Sequence, residues 1–248
     1  MEPLIALGRF GLFSAAVWWR IVTPRWEVQE TLRQTWGVSI RCLLPVAATV
    51  FPFGMVMSLQ GLQIFDLFGA QRLLSSLVSV AVFRELSPVM ATALVAAQGG
   101  SSFAAELGAM RIKEEIDATT VMAIDPIRVH VVPRVIAALV ATPVLGLIGS
   151  ASGIAGGYVT AVWLKGEPAG TWWANLWALT QLSDVLGGAV KCLVFGAIIG
   201  FVSCYNGYNA SGGAAGVGRA VNDTVVTATT SAVVANYFLT TVLFGSVG

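Results

Sequence analysis

The feature that most constrains this chain is where its charges fall. Glu106, Arg111, Lys113, Glu114, Glu115, Asp117, Asp125, Arg128 and Arg134 crowd into residues 106–134, while long neighbouring stretches carry no charge at all. That segment needs water, and its neighbours do not. Hydrophobic residues make up 56% of the chain and charged ones 11%, too few charges to cover a soluble globule of this length. The composition predicts an all-α integral membrane protein.

Crossing the hydrocarbon takes about 20 predominantly apolar residues, and a charge at mid-membrane costs a few kcal/mol. Residues 42–65, 86–105, 135–164, 192–218 and 224–248 are free of charge, which predicts about five transmembrane helices. Residues 10–19 are too short to span and are bracketed by Arg9 and Arg20. Trp18, Trp19 and Trp26 alternate there with Arg20 and Arg25, the pattern of a helix lying in the membrane interface. One domain over 1–248 is expected, with an interfacial amphipathic region at 1–36 and a transmembrane region at 38–248.

Under five spans, Arg9, Arg20, Arg25, Arg33, Arg41, Arg111, Lys113, Arg128, Arg134 and Arg219 fall on one side. Arg72 and Lys165 fall on the other. The positive-inside rule then makes the N-terminus and the 106–134 segment cytoplasmic and the C-terminus extracytoplasmic. Cys42, Cys192 and Cys204 lack metal-ligand or CxxC spacing and read as small packing residues.

Within the charged segment, Ile112, Ile116 and Ala123 fall at helical spacing while Glu114 and Asp117 point elsewhere, which describes a short amphipathic helix. Ala118 leaves room for close approach. Asp125-Pro126 is an N-cap followed by proline at the first helical position, so a new helix should start there and climb into the third span. The segment is a helical elbow with an acidic tip, either a solvated loop or a docking surface.

The run RELSPVMATALVAAQGGSSFAAELGAMRIKEEIDATTVMAIDPIRVHVVPR, residues 84–134, resembles the signature region of the MlaE/YrbE permease family. The likeness extends more weakly to KCLVFGAIIGFVSCYNGYNASGGAAGVGRAVNDTVV, residues 191–226. The resemblance implies the membrane-spanning subunit of an ABC-type lipid transporter in a bacterial cytoplasmic (inner) membrane. It implies a cytosolic ABC ATPase, an identical or homologous second permease, an MCE-domain protein and lipid as partners, and no nucleic acid. The elbow would be the coupling helix that meets the ATPase, with Glu114, Glu115, Asp117, Ala118, Asp125 and Pro126 as the coupling residues.

The only lysines, Lys113, Lys165 and Lys191, do not follow a glycine, so no GxxxxGK phosphate loop is present. The chain is therefore expected not to be an enzyme and to carry no cofactor, with ATP and Mg bound by the ATPase.

Arg84 and Glu85 interrupt an apolar run from Leu73 to Ala105 and imply a partner or a water-filled cavity. Lys191 opens the fourth span at similar depth, which predicts a Glu85–Lys191 ion pair. Otherwise all three mark span boundaries by snorkelling.

Gly149, Gly153 and Gly157, and Gly196 with Gly200, have the GxxxG spacing of close helix packing. Gly99 to Ser102 form a weakly polar patch. Trp172, Trp173 and Trp177 near Asp184 are expected to cap the outer face. Residues 205–218 read as a flexible turn. His130, the single histidine, reads as a solvated interface residue. From residues alone, an ATPase-independent secondary transporter or channel and a non-transporting membrane anchor stay open beside the permease.

Overall fold

A computed structural model of the chain describes residues 2–23 and 27–245. Among these there is no strand. The helices are α1 (Glu2–Val22), α2 (Val28–Phe68), α3 (Gln71–Ile112), α4 (Glu115–Val121), α5 (Ile127–Leu164), α6 (Ala169–Leu176), α7 (Leu182–Tyr208) and α8 (Gly213–Phe244). Five of them, α2, α3, α5, α7 and α8, are long and apolar enough to cross a membrane. The protein is an all-α integral membrane protein.

The spans differ from the charge-free stretches at their ends. Arg84 and Glu85 do not open a span; they lie inside α3, which is continuous from Gln71. The loop expected over 205–218 shrinks to residues 209–212, because α7 continues to Tyr208 and α8 starts at Gly213. Gly212 and Gly213, at φ +88° and +69°, supply the left-handed backbone that reverses the chain in so few residues. Counting charges cannot see such a turn, since glycine carries none.

Proline explains two irregularities. The turn Val82–Leu86 of α3 is widened to π geometry, with Ser87 N–H bonding back to Val82 O, and Pro88 follows at once. The turn Ile127–Val131 opening α5 is widened in the same way, with Val132 N–H on Ile127 O, and Pro133 follows it. A proline ring clashes with the carbonyl four residues earlier and has no N–H for it. Inserting one residue into the turn relieves the clash.

The chain divides into two compact units. One comprises Met1–Arg41, Val95–Ala141 and Phe195–Ala232. Its core joins Val17 of α1 to Leu107 of α3, Val131, Val132 and Val135 of α5, and Cys204 of α7. Phe10, Phe13 and Val17 share one helical face of α1, and the rings of Phe10 and Phe13 meet Tyr205 edge-on at 5.2 and 5.5 Å. The opposite side of α1 exposes Leu12, Trp18, Trp19 and Val22, so the helix is apolar outward as well as inward. That suits a helix lying in the interface. Arg25 and Trp26 lie outside the described residues.

The other unit comprises Cys42–Leu94, Thr142–Val194 and Val233–Gly248. A Cβ on Gly54 of α2 would stand 1.9 Å from the carbonyl oxygen of Gly153 on α5, so the two backbones touch. Ser152 Oγ donates to Ala47 O at 2.8 Å and Ser58 Oγ to Gly157 O at 3.1 Å along the same seam. Gly153 and Gly157 thus serve packing inside one chain. Trp172 departs from expectation. It is 1% exposed, packed among Leu62, Leu74, Val78 and Ile154, while Trp173 and Trp177 stay exposed. Indole count predicts an interfacial cap; helix α6 turns one of the three into its anchor.

Candidate functional site

Two arrangements carry chemistry. The first is the elbow. α3 ends at Ile112, Glu114 turns the chain at φ +60°, and α4 follows for seven residues. Ala123, at φ +59°, then turns it again. Neither residue is glycine, so each left-handed turn costs about 1–2 kcal/mol that the surroundings must offset. Arg111 contributes to this by donating to Asp117 Oδ1 at 2.6 Å, tying the end of α3 to α4.

The anchored face of α4 is Ile116 and Thr119, both buried. Ile112 and Ala123, expected beside Ile116, are exposed instead, because the two left-handed turns break the helical phase. The protruding surface combines Glu114, Glu115, Asp117 and Ala118, all exposed, with Val121 at 87% and Met122 at 64% exposure. Val121 and Met122 went unnoticed in the sequence. The signal was there: two large apolar residues between a helix and an N-cap, with no hydrophobic partner in phase.

Asp125 and Pro126 sit differently, half-buried at the elbow's exit. Asp125 Oδ1 accepts the Ile127 N–H at 3.1 Å, the capping bond that the Asp-Pro pair predicts. Its other oxygen accepts Arg20 Nε at 2.5 Å. Arg128 Nη2 reaches Thr23 Oγ1 at 3.4 Å beside it. The N-terminal helix is therefore latched to the elbow across 105 residues of sequence, a link that no local pattern encodes. His130 is half-buried, with Nε2 3.4 Å from Thr119 Oγ1.

The second arrangement is a charge network in the other unit. Lys191 is fully buried. Its Nζ donates to Glu85 Oε1 at 2.7 Å, to Thr240 Oγ1 at 2.7 Å and to Arg84 O at 2.8 Å. Every proton of the ammonium is thus used. Asn236 Nδ2 donates to Glu85 Oε2 at 2.8 Å and Thr240 Oγ1 to Oε1 at 2.9 Å, so both oxygens of the carboxylate are engaged too. The predicted Glu85–Lys191 pair is present.

Arg84 has a partner the sequence did not suggest. Its Nε and Nη2 hold Asp184 Oδ1 at 2.8 and 2.6 Å, and its guanidinium lies 4.4 Å from the centre of the Phe244 ring. Asp184 is fully buried, and its Oδ2 caps the Gln181 N–H at 2.9 Å. Beside this network runs a cleft of about 500 Å³. Its lining is mixed, with Glu85, Asn236, Thr240 and Thr241 polar and Val233, Tyr237 and Phe244 apolar.

Long apolar spans, a hydrogen-bonded charge network and one protruding helical elbow define a polytopic membrane protein. The comparisons are specific. The family model for Permease MlaE matches residues 31–242, and the chain belongs to that family. It is 37% identical to a probable ABC transporter permease protein of Rickettsia typhi, covering 96% of this chain and 92% of that one. It is 34% identical to a probable ABC transporter permease protein of Synechocystis, covering 95% and 89%. It is also 31% identical to the intermembrane phospholipid transport system permease protein MlaE of Haemophilus influenzae, covering 97% and 93%.

Proposed function

We propose that this chain is the permease subunit of an ATP-driven phospholipid transporter, acting as a single permease domain in a bacterial inner membrane. The observation that carries the reading is the elbow: a short helix pinned at both ends that presents Glu114, Glu115, Asp117, Ala118, Val121 and Met122 outward. An apolar knob with carboxylates at the other end of the same short helix fits a groove on another protein, and a cytosolic ABC ATPase, which binds the ATP and Mg, is that protein. Nucleotide acts on the spans only if it favours one of their arrangements over another. The pinned elbow transmits that preference. The N-terminus and elbow are then cytoplasmic and the C-terminus extracytoplasmic, following the basic residues.

The mixed lining of the cleft beside Glu85 suits an amphipathic substrate, with the headgroup on Asn236 and Thr240 and the acyl chains on Val233, Tyr237 and Phe244. An MCE-domain protein delivers or receives that lipid on the outer side. A second permease, identical or homologous, covers α8, whose exposed face carries Asn222, Asp223, Thr227 and Thr230. Polar side chains at that spacing are expensive against lipid and inexpensive against another protein. Lys191, with every proton engaged, reads as a structural group rather than the ion-coupling site of a transporter working alone.

The test is native mass spectrometry of the chain co-expressed with its ATPase, comparing wild type with Asp117→Lys. Complexes of two permeases and two ATPases carrying lipid, lost on the substitution while the permease stays folded, support the reading. A wild-type chain that never retains an ATPase overturns it.

A further inference from the structure

A second cleft, of about 390 Å³, lies in the unit that carries the elbow, between α2 and α3, lined by Arg33, Trp36, Gly37, Arg41, Ser102 and Glu106 among others. The proposed mechanism does not use it.

Its carboxylates are already committed. Glu106 accepts from Ser102 Oγ at 3.0 Å and from Arg134 Nη2 at 3.0 Å. Glu30, one turn before the cleft, holds Arg33 through both oxygens at 2.9 Å and also accepts from Gln34. Arg41 differs. Among the described residues it has no ion pair, and it donates to the neutral Ser102 hydroxyl at 2.9 Å. That bond orients the guanidinium and leaves its charge unmatched.

Position supplies the rest. Arg41 is the last charged residue before the charge-free stretch 42–65, so it marks the boundary between headgroups and hydrocarbon. Trp36 one turn earlier is 70% exposed, as an interfacial indole should be. Trp36 and Ile40 follow at four-residue spacing, both exposed, making an apolar edge beside Arg41. The floor is Gly37, where a Cβ would meet nothing within 4 Å.

We propose that this groove binds one anionic phospholipid of the surrounding leaflet, its phosphate on Arg41 and an acyl chain against Trp36 and Ile40. A planar guanidinium grips phosphate oxygens with parallel hydrogen bonds. The lipid is held as a bound component of the permease rather than as cargo, since this cleft shares no lining residue with the one beside Glu85. Neither ATP nor the ATPase is needed for this binding, so its failure would leave the transporter reading intact.

The experiment is native mass spectrometry of the purified protein in mild detergent, titrated with phosphatidylglycerol or with phosphatidylcholine of the same acyl chains. Wild type should retain phosphatidylglycerol several-fold better. Arg41→Ala should weaken that retention about fivefold and leave phosphatidylcholine unchanged, whereas Arg41→Lys should keep most of it. Gly37→Leu should block the groove while the unfolding temperature holds, because the added side chain enters open space. Equal retention of the two lipids by wild type would overturn the proposal. So would phosphatidylglycerol retention that survives both Arg41→Ala and Gly37→Leu, which would place the lipid elsewhere.

Discussion

Lys191 and Pro88 are complementary: the proline leaves the Arg84 carbonyl without its helical N–H, and Lys191 Nζ donates to that oxygen at 2.8 Å. The same ammonium neutralises Glu85 at 2.7 Å. One side chain on α7 thus repairs the broken helical ladder of α3 and balances the half-buried charge next to it.

Lys191→Met should therefore destabilise the protein by about 3 kcal/mol, the low end for breaking a buried pair because Glu85 is itself 41% exposed. Thermal unfolding in detergent reads this. Adding Glu85→Gln to Lys191→Met should restore part of the loss, and a double variant no better than the single one would show that the carbonyl matters more than the charge.

The latch at the elbow's exit gives a graded pair. Arg20→Ala removes one partly exposed ion pair and should cost about 1 kcal/mol. Asp125→Ala also removes the cap on Ile127 and should cost about 2 kcal/mol. Hydrogen exchange over 125–131 should speed up in both, more in the second; a wild-type rate in Arg20→Ala would mean that Arg20 does not hold the elbow.

On the tip, Met122→Asp or Val121→Asp should weaken ATPase binding at least tenfold with no change in unfolding temperature, since both side chains are exposed. Pull-down with the ATPase checks it. Undiminished binding in both would leave only the acidic residues as the contact.

Two glycines should part ways. Gly54→Ala drives a methyl into Gly153 O and should cost about 1–3 kcal/mol or more. Gly218→Ala, where nothing lies within 4 Å, should be neutral or stabilising by about 1 kcal/mol through helix propensity. Similar melting curves for the two would refute the close α2–α5 packing.

A pH effect is expected between α5 and α6. Burial first, and the Asp66 carboxylate second, push Glu167 up from the usual carboxylate value of 4.5. A raised value means the folded protein holds the proton more tightly. The contribution is thus present below 4.5 and lost as pH rises through the raised value. Glu167→Gln should remove that slope from the stability profile, which urea titrations from pH 4 to 7 would reveal.

The five spans, the elbow and the Glu85–Lys191 pair were legible because they depend on sums over composition, on a local cap, and on two charges forced to one depth. Arg20–Asp125 and Arg84–Asp184 were not, though their separations match that of Glu85 and Lys191: Asp125 already has a local reading as a cap and Asp184 falls in the Trp-rich outer stretch, so neither offers itself as a partner. The phase of α4 was misread for a different reason. Periodicity assumes an unbroken helix, and left-handed Glu114 and Ala123 carry no glycine to announce the break. Trp172 shows the same limit in packing, where a tryptophan's type does not say whether it faces lipid or core.

Those two turns also fix what a push on the elbow can accomplish. With both ends of a seven-residue rod clamped by backbone torsions rather than by a slack linker, load applied at Asp117 or Val121 divides between α3 and α5. The two spans must then answer it in concert, and compliance introduced at either junction would let one lag while the other moves.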